Sequence, residues 1–315
     1  MKTYTLITLL LAAFVIYVVT QEHFNLAQSS TTRPQASMAS STVASVTTRT
    51  YASTPRLSWG VYTGSGEQDL QDFETLVGRQ ADIQAEFTGW SESFPSTFAS
   101  SLCPNRTLLI FWENYNHSLD DIIAGKYDTY IESFSKDAAA YQCPVILSLF
   151  HEMNGNWDDW DGTEPGNSAE KIVAAWIHVH SLVTAPNVKW AWVVNNVSIP
   201  DVDGNHIADY YPGDQYVDYV GVDGFNMGNP WQSFGEVFDD AIATLQSYKK
   251  PIYIFSMGSI PGTRKATWIK DGLGSHIYTY QNVVGWVWFN AVDSKADWRV
   301  DTDRASLAAF KSVIP

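Results

Sequence analysis

The sequence predicts an α/β chain folded as a closed (β/α)8 TIM barrel, preceded by an N-terminal signal peptide and a disordered Ser/Thr-rich stalk. Two observations carry the barrel. Eight short apolar runs alternate with longer segments of helical period between Leu57 and the C-terminus, the pattern of repeated strand–helix units with a parallel sheet. Several of those runs stop abruptly in polar residues, most clearly Val145 to Trp160, VILSLFHEMNGNWDDW. Polar groups at the carboxyl ends of buried strands are where such barrels keep their chemistry.

Taken in order, Lys2 precedes an uncharged run from Tyr4 to Val19, which reads as a signal peptide over 1–20 and implies a secreted, extracellular protein. Val18-Val-Thr20 is a mediocre cleavage site, so an uncleaved membrane anchor is the alternative. Residues 21–56 are rich in Ser, Thr and Ala with almost no large apolar side chains, too little burial to offset ordering entropy, and read as a disordered linker. The folded part is expected over 57–315. Its strand candidates are Leu57 to Tyr62, Ala81 to Phe87, Thr107 to Trp112, Val145 to Phe150, Val188 to Val194, Tyr219 to Asp223, Pro251 to Ser256 and Val284 to Phe289. Tyr127 to Tyr141, Ala169 to Val183 and Phe234 to Tyr248 place apolar residues at helical spacing. Eight units over about 250 residues fit the barrel. An open doubly wound sheet fits less well, because Trp59-Gly-Val-Tyr-Thr-Gly-Ser-Gly66 lacks the helix and downstream acid of a dinucleotide turn.

A formal net charge of −15 argues against nucleic acid as a partner, since no basic patch offsets that field. A neutral or cationic substrate remains. The 13 Trp and 16 Tyr are mostly core, but flat rings with a polar edge also suit sugar faces. Cys103 and Cys143 each shortly precede a strand candidate; in an oxidising compartment two thiols at one end of neighbouring strands favour a disulfide, opposite the chemistry, over two buried free thiols. Asn105, Asn116 and Asn196 stand in glycosylation sequons. No zinc-type spacing occurs, so no metal or cofactor is expected. A monomer is the default oligomeric state, and a membrane partner is expected only if the signal segment is uncleaved.

In a barrel the strand ends share one mouth. They bring Glu86, Phe87 and Trp90; Trp112 and Glu113; His151, Glu152 and Asn154; Asn195 and Asn196; Asp223, Phe225 and Asn226; Ser256; and Trp288 and Asn290. Carboxylates, amides and tryptophans on one rim are the equipment for cleaving glycosidic bonds.

The chain also resembles glycoside hydrolase family 26 from about Ser58 to Val313. The matching pieces include Gly60-Val-Tyr62, Phe73-Glu-Thr-Leu-Val-Gly78, Phe87-Thr-Gly-Trp90, Gly125-Lys-Tyr-Asp-Thr-Tyr-Ile131, His151-Glu-Met-Asn-Gly-Asn-Trp157, Tyr211-Pro-Gly-Asp214, Tyr216-Val-Asp-Tyr-Val-Gly-Val-Asp-Gly-Phe-Asn226 and Trp288-Phe-Asn290. The best-known members are endo-β-1,4-mannanases; others act on mixed-linkage glucan or β-1,3-xylan. The resemblance implies a (β/α)8 barrel and a neutral β-linked polysaccharide as partner. It makes Glu152 the general acid/base, His151 and Asn154 its neighbours around the −1 subsite, and Trp157 and Trp288 sugar-stacking residues, with Trp90 on the same rim. The family's nucleophile stands in a segment close to Ile-Ala-Glu-Phe-Gly, where this chain reads Ile254-Phe-Ser-Met-Gly258, and Phe225 stands where Tyr is usual. Ser256 therefore occupies the nucleophile position, and no other Asp or Glu lies between Pro251 and Lys270. A hydroxyl cannot supply the negative charge that double displacement uses.

Three readings follow: a hydrolase with Asp223 or Glu113 as substitute carboxylate or with water activated across the gap, a barrel that binds polysaccharide without cleaving it, or an engineered change that traps ligand. A purely structural display barrel is a fourth, because fold alone does not fix function.

Overall fold

The structure, a computed structural model, describes residues 56–64 and 66–315. The expected signal peptide and all of the linker but Arg56 lie outside the described residues. Among the described residues, no helix is long and apolar enough to cross a membrane.

The strands are β1 Ser58–Tyr62, β2 Ile83–Gly89, β3 Thr107–Glu113, β4 Val145–Leu149, β5 Val188–Asn195, β6 Tyr219–Asn226, β7 Ile252–Ser259 and β8 Val283–Phe289. All pair in parallel with their sequence neighbours, and β8 returns to β1, closing the expected barrel. The helices are α1 Glu67–Val77, α2 Ser96–Leu102, α3 Leu119–Ile123, α4 Asp128–Tyr141, α5 Ala169–Leu182, α6 Phe234–Gln246, α7 Lys265–Gly274 and α8 Arg304–Val313. Two units depart from the repeat: β5 connects to β6 through two short 3-10 turns, Ile207–Tyr210 and Asp214–Tyr216, and β3 is followed by both α3 and α4.

Strand side chains alternate between two apolar layers, as period-two geometry requires. Ile83, Ala85, Leu109, Phe111, Ile146, Ala191, Val193, Tyr253, Phe255 and Val287 fill the barrel interior. Their neighbours, such as Leu108, Trp112, Leu147, Trp192, Ile254 and Trp288, pack outward against the helices. Two glycines make room inside: a Cβ at Gly221 would lie 2.2 Å from the ring of Phe255, and one at Gly285 would lie 2.4 Å from that of Tyr253. The Cys103–Cys143 disulfide forms, with Cα atoms 5.8 Å apart, where the chain enters β3 and β4. That is the end of the barrel opposite the strand-end acids.

The register jumps on β7. Val222 pairs with Ile254, but Asp223 pairs with Ser256. The extra residue, Phe255, is a bulge of the kind that re-aims side chains near sites. It leaves Ser256 level with Asp223.

Candidate active site

The β4 strand delivers the central acid through a strained turn. Phe150 and Glu152 both take left-handed backbone, with φ of 50° and 56°, a conformation that costs non-glycine residues of order 1–3 kcal/mol and persists only where its surroundings impose it. Here the Glu152 N–H donates to the Val193 carbonyl (3.0 Å) and the Glu152 carbonyl accepts from Gly155 (2.7 Å). These bonds fix the turn that presents the carboxyl to the mouth. Trp157 Nε1 donates to Glu152 Oε2 at 2.9 Å.

Trp157 is itself positioned. Asp161 Oδ2 accepts from the Trp157 and Asp158 backbone N–H groups at 2.6 and 2.9 Å, and a Cβ at Gly155 would lie 2.6 Å from the indole. The indole is 39% exposed, which leaves it free to stack on a ligand. Lys295, from the loop after β8, places its ammonium 5.4 Å from the centre of that ring. Trp160 is fully buried and donates from Nε1 to the His151 carbonyl at 2.8 Å, so it supports the β4 turn and does not face a ligand.

Beneath Glu152, the His151 imidazole lies between two carboxylates, 3.5 Å from Glu113 at Nε2 and 3.6 Å from Asp223 at Nδ1. Burial alone would lower its pKa, but the flanking Asp223 and Glu113 carboxylates and the charge of Glu152 outweigh it and raise the pKa well above the ordinary value. A cation held by acids on both sides orients the site. Asp223 is pushed up by burial and restrained by His151 and by the Ser256 backbone N–H. Glu152 is raised to about 7, chiefly by desolvation and then by the charge of Asp223, with His151 opposing. This is the direction a general acid needs at neutral pH. A nitrogen of His151 and single oxygens of Glu152 and Asp223 lie within 4.8 Å of one another, a donor set that could also ligate a divalent cation.

Glu152 and Trp157 line one cleft with Asn195, Asn196, Val197, Ile199, Phe225, Met227, Gln232 and Lys295, of about 300 Å³. Phe225 thus sits in the mouth as expected, with Phe289 and Trp298 against its ring. Ser256 is buried and level with Asp223 across the β6–β7 pairing.

Three expectations need correction. Trp288 is fully buried on the outer face of β8, donating from Nε1 to the Trp298 carbonyl and packing on Phe310 and Trp268. Strand alternation turns Val287 inward and Trp288 outward, so Trp288 is no sugar platform. Trp90 is also buried, against Trp112, His117, Tyr127 and Tyr130 behind the rim. Asn154 has no exposure. Its Nδ2 donates to the Asn195 and Val197 carbonyls at 3.0 and 3.3 Å, and its Oδ1 accepts from the Asn195 N–H at 2.8 Å. It positions the loop after β5 and does not contact a ligand. Asp161, Lys295 and the aliphatic side chains of the cleft were not singled out from sequence; of these only Asp161, within the Trp157–Gly162 turn, carried a local signal.

Residues 110–263 match the model of glycosyl hydrolase family 26. Endoglucanase H of Acetivibrio thermocellus is 35% identical over 269 residues, covering 81% of this chain and 30% of that protein. Beta-1,3-xylanase TXYA of a Vibrio species is 24% identical over 46% of the chain and 30% of its own length. The chain therefore spans about a third of the length of these relatives. Among solved structures, the catalytic domain of a Bacillus sp. JAMB-750 GH26 endo-β-1,4-mannanase superposes with a TM-score of 0.62 at 17% identity, covering 82% of this chain and 85% of that one. A GH26 β-mannanase from Bacteroides ovatus gives a TM-score of 0.61 at 15% identity, with 83% and 88% covered. The barrel agrees with the fold of these structures, and the family model together with the 35% identical relative shows that the chain belongs to glycosyl hydrolase family 26.

Proposed function

We propose that this protein is a secreted glycoside hydrolase acting on a β-linked polysaccharide such as β-1,4-mannan or mixed-linkage glucan. Glu152 is its general acid/base and Trp157 its sugar-stacking ring. The observation that carries the reading is Glu152 itself, an acid raised to about 7 in an open cleft and hydrogen-bonded to a half-exposed tryptophan. The names of the relatives, an endoglucanase, xylanases and a mannosidase, support the substrate class. The disulfide suits an oxidising, extracellular setting.

The second carboxylate in this reading is Asp223. Its oxygen lies within 4.8 Å of Glu152's, too close for an inverting pair at about 6.5–9.5 Å and near the about 5–5.5 Å of a retaining pair. Asp223 attacks the anomeric carbon as the leaving oxygen takes the Glu152 proton; water then returns a proton to Glu152 and displaces Asp223.

One observation favours a second reading, binding without cleavage: Ser256, where the sequence resemblance expects the nucleophile carboxylate, is an uncharged residue buried level with Asp223. Release of reducing ends from mannan and mixed-linkage glucan, measured for wild type, Glu152→Gln and Ser256→Glu, separates the two. Activity in wild type that Glu152→Gln abolishes supports the hydrolase. Activity confined to Ser256→Glu supports the binding barrel.

A further inference from the structure

Beside Glu152 the cleft has a wall that does not suit bare sugar hydroxyls. Val197, Ile199 and Met227 line it and are 50%, 39% and 45% exposed, and Phe225 completes it. These aliphatic side chains are not on a loose segment. The Val197 carbonyl accepts from Asn154 and Asn195 Nδ2, the Ile199 N–H donates to the Asn154 carbonyl, and Asn205 Nδ2 donates to the Asn154 and Pro200 carbonyls. The loop is pinned with these apolar groups half-exposed at the cleft. An exposed apolar patch rimmed by polar groups marks a ligand surface.

Each amide beside the wall already has one of its two N–H groups committed. Asn195 Nδ2 bonds the Val197 carbonyl, Asn196 Nδ2 the Val237 carbonyl and Gln232 Nε2 the Glu236 carbonyl. A hydroxyl laid on the aliphatic groups of the wall would lose water without replacing its hydrogen bonds. A methyl group would gain from burial. The charged donor in the cleft is the ammonium of Lys295, which makes no hydrogen bond among the described residues and rests near the Trp157 ring. A group with a carbonyl for Lys295 and a methyl for the wall satisfies both.

We propose that this wall is a subsite for an acetylated sugar, its methyl against Val197, Ile199 and Met227 and its carbonyl toward Lys295. The inference rests on the polysaccharide reading of the cleft. O-acetyl and N-acetyl groups share the chemistry, and the probes separate them.

Titration calorimetry on the Glu152→Gln protein, which keeps ligands intact, would compare O-acetylated β-1,4-glucomannan oligosaccharides with the same preparation after alkaline deacetylation. Burying one methyl corresponds to about a fourfold gain in affinity, so the acetylated ligand should bind about fourfold more tightly or better. Ile199→Thr with Met227→Gln should remove that preference. Equal binding of the two ligands by the parent, or a preference that survives the double substitution, overturns the subsite while leaving polysaccharide binding intact. Binding of neither ligand overturns both. Chitin oligosaccharides preferred over chitosan oligosaccharides, with the preference lost in the double variant, support the subsite and assign it to N-acetyl.

Discussion

At the scale of single residues, the site is a graded set of acids around one cation. Glu113 and Asp223 hold His151 between them, and Glu152 stands above with its proton retained toward neutrality. The pH consequence follows from the direction of that shift. A general acid works protonated, so turnover should be sustained below about 7 and fall as pH rises through it. The same group makes a stability prediction of definite sign. Its pKa is raised above the unfolded value of 4.5, so its contribution is fully present below that value and is lost as pH rises through about 7. Glu152→Gln should therefore flatten the decline of melting temperature between pH 5 and pH 8. Parallel melting curves for parent and variant across that range would show that the carboxyl is not perturbed in the folded protein. Ser256, level with Asp223, adds no charge of its own to the mouth. Its backbone N–H supports Asp223, and its side chain is an uncharged hydroxyl.

At the scale of elements, the informative unit is the pair of loops leaving β4 and β5. Asn154 ties them together from a fully buried position with bonds to Asn195 and Val197 and, through its own carbonyl, with Ile199 and Asn205. Asn154→Ala strands several buried carbonyl and N–H groups, each costing about 1–3 kcal/mol if left unpaired. Allowing for partial relaxation, the variant should lose about 2–4 kcal/mol in denaturant unfolding and bind polysaccharide more weakly although Asn154 touches no ligand. Unchanged stability would mean that the loops hold without it. Much at this scale was legible in the sequence. All eight strands fall within a few residues of their apolar runs, because strands buried on both faces read as continuous hydrophobic segments. The disulfide was legible too, since both cysteines precede neighbouring strands. Facing was harder to read. Trp288 and Phe289 are adjacent, and one step along a strand exchanges core for mouth. The β7 bulge, which sets Ser256 level with Asp223, leaves no mark in composition. Lys295 reaches Trp157 from a loop whose path depends on the closed barrel.

At the scale of the whole molecule, the barrel brings residues far apart in the sequence into one cleft, Glu152 and Lys295 among them, while the chain as a whole carries a net charge of −15. Two classes of ligand fit an acidic protein: a neutral polymer recognised by stacking and hydrogen bonds, and a cationic polymer drawn by the field. The cleft lining favours the neutral one, because Lys295 stands against Glu152 and the other lining residues are uncharged. Salt separates the two. At 0.1 M the screening length is about 10 Å, and at 1 M it is about 3 Å, so field-driven binding weakens steeply over that range while stacking hardly responds. Affinity for mannan or glucan oligosaccharides should change by less than about twofold between 0.05 and 0.5 M sodium chloride, and a polyanion such as polygalacturonate should fail to compete. A loss of tenfold or more across that range would point to a cationic polymer held by the acidic surface, with the Trp157 platform in a secondary role.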